Sequence, residues 1–234
     1  KIDVVMIAGD FSYSGRPDEF ERATDVILND LCASLWGSNN IDRMRDRIVI
    51  VPGNHDLNLR FVACDGRGFP PGGNDFVNEG RNNLAEGEGA ACHRPYGMEP
   101  FRKFAYGLTG DKNWLEHKEM SWVDRKFQHY GITLFNFNTV DVDTRFNDYP
   151  ILSESVLRGI GRSLGSKDTS GEQFRIALSH HGLAPPGARE NETELKMWKK
   201  EGGQAFFEGK GIDLWVYGHY HKYSTYPPSR ALPS

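Results

Sequence analysis

Apolar side chains along this chain gather into four short runs, and each run breaks into a polar turn. Residues 2–8 are apolar after Asp3 and lead into Gly9-Asp10. Residues 47–51 lead into Pro52-Gly53-Asn54-His55-Asp56. Residues 174–178 lead into Ser179-His180-His181, and residues 212–217 into Gly218-His219-Tyr220-His221. Near-continuous apolar runs of this length, bounded by glycine and proline, predict strands covered on both faces, as in a parallel sheet. Between the first two runs, Pro17 suits the first turn of a helix. Phe20, Ala23, Ile27, Leu31 and Leu35 keep helical spacing to about Trp36, and Gly37-Ser38-Asn39-Asn40 stops it. Strand, helix and strand in that order predict a parallel pair with a right-handed crossover.

The rest of the pattern is less regular. Residues 131–138 alternate apolar and polar side chains and predict a half-exposed strand. Ser153 can cap a helix reaching about Leu164, and a further helix over 190–207 leads to the last strand. Gly, Pro and Asn crowd positions 66–90, with short helices predicted near 99–106 and 111–117. A span as long as 58–130 between core strands predicts an insertion that caps or borders the active face. Residues 1–234 read as one domain, with 226–234 as a linker or cut edge.

Composition narrows the class. A chain of 234 residues is long enough for one large α/β domain with a real core. The net charge of -4 offers no electrostatic footprint for nucleic acid. No apolar run approaches the roughly 18 residues that span a bilayer. Three cysteines, Cys32, Cys64 and Cys92, are few and odd in number, which predicts free thiols in a reducing, cytoplasmic setting. Lys1-Ile2-Asp3 runs straight into a strand with no Met and no signal-peptide pattern, so an excerpt of a longer chain with other domains is expected.

The turns carry the candidate chemistry. In open α/β sheets the ligand crevice lies at the carboxyl ends of the strands, where Asp10, Asn54, His180 and His219 all sit. Carboxylate, amide oxygen and imidazole suit a borderline divalent metal such as Mn, Fe or Zn. His219 and His221 are two apart, so in an extended turn their rings face opposite ways and serve two neighbouring metals. Asp10, with two oxygens, is the natural bridge. Taken singly, Asp10 and Asn54 are ordinary turn residues and the histidines an ordinary polar turn. Their joint occurrence at four strand ends points to metal. Cys64, Cys92 and His93 have the wrong spacing for a compact zinc finger, and Phe61, Phe69, Phe76 and Tyr96 read as packing.

Gly9-Asp10, Gly53-Asn54-His55-Asp56, His180-His181 and Gly218-His219-Tyr220-His221, in that order, resemble the calcineurin-like metallophosphoesterase family. The resemblance implies a four-layer α/β/β/α sandwich and two divalent metal ions. Asp10 would bridge them, Asn54, His180 and His219 would complete one site, and His221 would contribute to the other. Two residues are implied as catalytic: His55, facing the substrate and helping to stabilise or protonate the leaving oxygen, and Asp56, orienting His55. His181 would be a neighbour with a substrate-facing or supporting role. The family's opening Asp-x-His motif has no counterpart here, so the second site keeps only Asp10 and His221, and the missing strand is expected upstream of Lys1.

Two divalent ions about 3.5–4 Å apart clamp a phosphate and activate a water at neutral pH. The expectation is therefore direct hydrolysis of a phosphodiester: a nucleotide, a nucleic acid (which the net charge does not support) or a small diester. Two alternatives stay open: an inactive binding module on the same fold, and a phosphomonoesterase or protein phosphatase.

Overall fold

In a computed structural model of the chain, the described residues are 3–58, 97–117, 120–140, 154–164, 173–182 and 211–219. Strand β1 (Val5–Ile7) pairs in parallel with β2 (Ile48–Ile50), Val5 opposite Ile48, so the expected parallel pair forms. A second sheet has the order β3-β4-β5-β6, built from Trp122–Asp124, Ile132–Phe137, Phe174–Ser179 and Leu214–Val216. In it β3 is antiparallel to β4, while β4, β5 and β6 run parallel.

Between β1 and β2 lies α1 (Pro17–Asp25), which continues through a π-helical stretch, Val26–Cys32, into α2 (Ala33–Trp36). The wider turn changes which side chains face inward. Ile27 and Cys32, five apart, are buried, whereas the expected Leu31 is only half-buried. Gly37 closes the helix in the left-handed conformation, with its N–H on the Ala33 carbonyl at 2.8 Å. Asn40 then accepts from Asp42 N at 3.0 Å and caps a short α3 (Ile41–Met44), which the apolar pattern did not signal.

Of the span 58–130, residues 59–96 lie outside the described residues. The remainder supplies α4 (Glu99–Thr109), α5 (Asn113–Glu116) and β3. Phe101, Phe104, Leu108, Trp114 and Trp122 from this part join Phe20, Ile27, Ile48 and Ile50 in one buried cluster on the outer face of the β1–β2 sheet. A second cluster places Val156, Leu157 and Ile160 of α6 (Glu154–Leu164) against Phe135, Phe137 and Ala177. The third cluster joins the two sheets. Val49 and Val51, with Val4, Met6 and Ala8 beside them, meet Leu134, Ile176 and Leu178. Alternate residues of β2 and β5 thus serve different clusters, the period-two signature of strands covered on both faces.

Strand β4 departs from expectation. It was read as half-exposed, yet Thr133 to Phe137 are all buried, because β4 is an inner strand with α6 over one face and the other sheet over the opposite one. Its polar members are buried with it: Thr133 bonds Gln173, and Asn136 stands opposite Trp122. The expected helix over 190–207 and the capping role of Ser153 fall outside the described residues.

Candidate metal centre

The predicted ligands stand beyond the carboxyl ends of strands from both sheets. Asp10 follows β1, Asn54 opens a 3-10 turn (Asn54–Asp56) after β2, His180 follows β5 and His219 follows β6. Though up to 209 positions separate them in the sequence, their polar atoms converge. His180 Nε2 is 3.0 Å from Asn54 Oδ1, 3.0 Å from His219 Nδ1 and 3.5 Å from Asp10 Oδ2.

Proton accounting shows what this cluster can hold. His180 Nδ1 is 2.6 Å from the Ala8 carbonyl. A carbonyl only accepts, so Nδ1 carries the proton and Nε2 turns a lone pair on the other three groups. At most one of those three contacts is served by a proton, on His219 Nδ1. The others set lone pairs against lone pairs, which is unfavourable unless a cation stands among them. Ligands about 2.0–2.2 Å from one ion, at tetrahedral to octahedral angles, stand roughly 2.9–3.5 Å apart. The observed separations fall in that range, so the residues fit a divalent metal. Burial pulls the His180 pKa down to about 4, against the opposing pull of Asp10, and keeps the ring neutral, as a ligand must be.

The backbone is bent to make this convergence. Asp10 (φ 61°) and His219 (φ 66°) are two of only three non-glycine residues in the left-handed region among the described residues. Each such residue costs on the order of 1 kcal/mol, and such strain collects at functional sites. Gly9, at φ 87°, has no alternative: a Cβ there would lie 2.4 Å from Gly53 N and 2.8 Å from His180 Nδ1.

His55 sits beside the cluster. Its N–H donates to Asp10 Oδ1 at 3.1 Å, and its Nδ1 donates to the Tyr13 carbonyl at 3.0 Å, which leaves Nε2 for a substrate. Asp56 was expected to orient His55, and here the structure corrects the sequence reading, because the Tyr13 carbonyl does so. Asp56 is fully buried, with Oδ2 accepting from Asp10 N (3.0 Å) and Gly53 N (2.8 Å) and Oδ1 from Ser12 N (2.9 Å). It binds the loop after β1 to the loop after β2. Burial pushes its pKa up to about 7, the N–H donors resist the rise, and the charge of Asp10 adds to it.

His181 is buried against the same cluster, its ring 4.5 Å from that of His219. One nitrogen from each of His180, His181 and His219 lies within 4.8 Å of the others. Thr139, just past β4, holds His181 through its hydroxyl (2.9 Å to Nδ1), a residue that the sequence reading did not single out. Its only sequence signal is a polar side chain at yet another strand end. His221 lies outside the described residues. No described helix is long and apolar enough to cross a membrane.

Comparison with known proteins gives one result for the family and one for individual relatives. A search of curated proteins returned no match. The model of the calcineurin-like phosphoesterase family, in contrast, matches residues 1–223, nearly the whole sequence and every strand end described above. The chain therefore belongs to the calcineurin-like phosphoesterases, a family of metal-dependent hydrolases.

Proposed function

We propose that this protein hydrolyses a small phosphodiester, with two divalent ions of the Mn, Fe or Zn type, and that the ester's leaving oxygen is protonated by His55. The single observation that carries the reading is the convergence of Asp10, Asn54, His180 and His219 from two sheets, with His55 beside them, its main-chain N–H on Asp10 and its ring on the Tyr13 carbonyl. Divalent ions, when bound, supply Lewis acidity and lower the pKa of water from about 15.7 towards about 7. The remaining steps belong to the chain. His180 offers Nε2 because the Ala8 carbonyl holds the proton on Nδ1. Asp10 presents Oδ2 to the cluster while Oδ1 accepts the His55 N–H, so one carboxylate sets the distance between ligands and general acid. His55 keeps Nδ1–H on Tyr13. In its imidazolium form it gives the Nε2 proton to the departing alkoxide as water adds to phosphorus and the P–O bond breaks.

The second ion would rest on Asp10 and His221. Two sheets joined by one apolar cluster and flanked by α4 and α6 support the four-layer sandwich. The preference for a small diester over nucleic acid rests on the net charge of -4, and a cytoplasmic site on the buried free thiol of Cys32.

The test is Mn-dependent hydrolysis of an aryl phosphodiester and of the matching monoester by the full-length protein, with Asn54→Ala as control. Turnover that is lost on chelation and falls at least about a hundredfold in Asn54→Ala is expected. Turnover indifferent to both would sink the reading, and a monoester-dominated ratio would replace the diester with a phosphomonoester.

A further inference from the structure

His181 is 0% exposed, and its ring is accounted for on one side only. The Thr139 hydroxyl lies 2.9 Å from Nδ1 and 3.2 Å from the His181 main-chain nitrogen, whose N–H it accepts. On the other side Nε2 is buried without a hydrogen-bond partner among the described residues. Nearly all buried polar atoms in folded proteins are satisfied, and an orphan costs about 1–3 kcal/mol. Its surroundings are not apolar. The His181 ring centroid is 4.9 Å from that of His180 and 4.5 Å from that of His219, and the His180 and His219 rings are 4.9 Å apart. Three imidazoles that bind one ion through nitrogens at about 2.0–2.1 Å hold their ring centroids roughly 5 Å apart. The observed triangle has that size.

We propose that His181, through Nε2, is a further ligand of the cation held by Asn54, His180 and His219, with Thr139 as the residue that positions it. The proposal rests on reading this cluster as a metal centre. It requires Nδ1 to carry the proton, which Thr139 Oγ1 accepts alongside the His181 N–H, since a hydroxyl oxygen has two lone pairs. The opposite tautomer would turn Nε2–H into a donor for a phosphate oxygen and leave the metal without this ligand.

Co2+ titrated into the metal-free full-length protein, followed by its visible absorption, separates these outcomes. In His181→Gln the Kd for Co2+ should rise at least about tenfold and the absorption bands should shift. With His181→Gly, added imidazole should restore the wild-type spectrum. Thr139→Val should weaken Co2+ binding by a smaller factor. Circular dichroism of the metal-free variants checks that they fold. Should they fail to fold, pulsed EPR of wild-type protein loaded with one Mn2+ per chain should show three coordinated imidazoles. A folded His181→Gln with wild-type Co2+ affinity and bands would overturn the assignment, as would fewer than three imidazoles. Wild-type protein that binds Co2+ but hydrolyses no phosphoester would sink the hydrolase reading and leave this assignment standing.

Discussion

Gly53 is the most informative single position outside the ligands. Its backbone is extended (φ −101°), so any residue could adopt it and conformational freedom is not why glycine stands there. The reason is space. A Cβ at Gly53 would lie 2.2 Å from Asp10 Oδ1 and 2.3 Å from Asp10 N, against an ordinary contact distance of 3.4–4 Å. Gly53→Ala therefore forces the loop after β1 and the loop after β2 about 1 Å apart. Overpacking of this kind costs about 1–3 kcal/mol, and the upper end applies because the obstructing atoms include main chain. The same shift drags Asp10 away from Asn54 and His180, so metal affinity and turnover should fall with stability, turnover by about a hundredfold for a displacement of 1 Å. Gly37→Ala is the control. Gly37 also has a special conformation (φ 67°), but no atom of the described residues lies within 4 Å of its added Cβ. It should lose about 1 kcal/mol of stability and keep its metal affinity. Urea unfolding and Mn2+ titration of both variants provide the comparison. If Gly53→Ala keeps wild-type metal affinity, or differs from wild type no more than Gly37→Ala, then the loops are not locked together as argued.

Two further outcomes follow from the buried groups. Asp56→Asn puts an NH2 where one carboxylate oxygen accepts main-chain N–H groups, and orphans at least one of them at a cost of about 1–3 kcal/mol. Because the Asp56 pKa is pushed up to about 7, the fold keeps a proton there that the unfolded chain has already released, so the contribution of Asp56 falls as pH rises through about 7. The loss on substitution should therefore be larger near pH 5 than at about pH 8, and an equal loss at both would contradict it. The metal-free protein should also be acid-labile. Between about pH 4 and 6.5, His180 and His181, held near 4 and 2 in the fold, are protonated only after unfolding, whereas Asp56 is protonated only in the fold. The unfolded chain thus binds one net proton more, so stability should rise with pH across that window by about 1.4 kcal/mol per unit. A flat or falling urea midpoint over the same range would refute it.

The sequence disclosed which residues converge because their chemistry is written in short local strings. Gly9-Asp10, Gly53-Asn54 and Gly218-His219 each place a metal-type side chain just past an apolar run, and the general rule about strand ends then brings them together. What it concealed was decided by contacts across the chain. The N–H donors to Asp56 lie 44 and 46 residues away at Ser12 and Asp10, and nothing local distinguishes a carboxylate that holds two loops from one that orients a neighbouring ring. Strand β4 alternates apolar and polar residues like a surface strand, and only its inner place in the sheet buries Thr133 and Asn136. The short α3 and β3 lie below the length at which periodicity carries a signal.

The candidate ligands divide between the two sheets, and that division locates the control of the site. Asp10 and Asn54 follow β1 and β2, while His180 and His219 follow β5 and β6. No strand pairing joins the two sheets among the described residues. Near the site, Gly218 N donates to the His180 carbonyl within one half, and Asp56 ties the loops within the other. Beyond the Ala8–His180 hydrogen bond and that from Lys126 Nζ to the Ile48 carbonyl, the distance between the halves is set by the apolar cluster of Val49 and Val51 against Leu134, Ile176 and Leu178. Packed interiors transmit a change of one methylene to their neighbours rather than absorbing it. The 3.0 Å between Asn54 Oδ1 and His180 Nε2 is therefore a property of the core as much as of the ligands. This accounts for how two left-handed residues and a knot of facing lone pairs are held in one place. The inter-sheet core holds them together, and a cation entering the cluster meets ligands already within bonding range of one another.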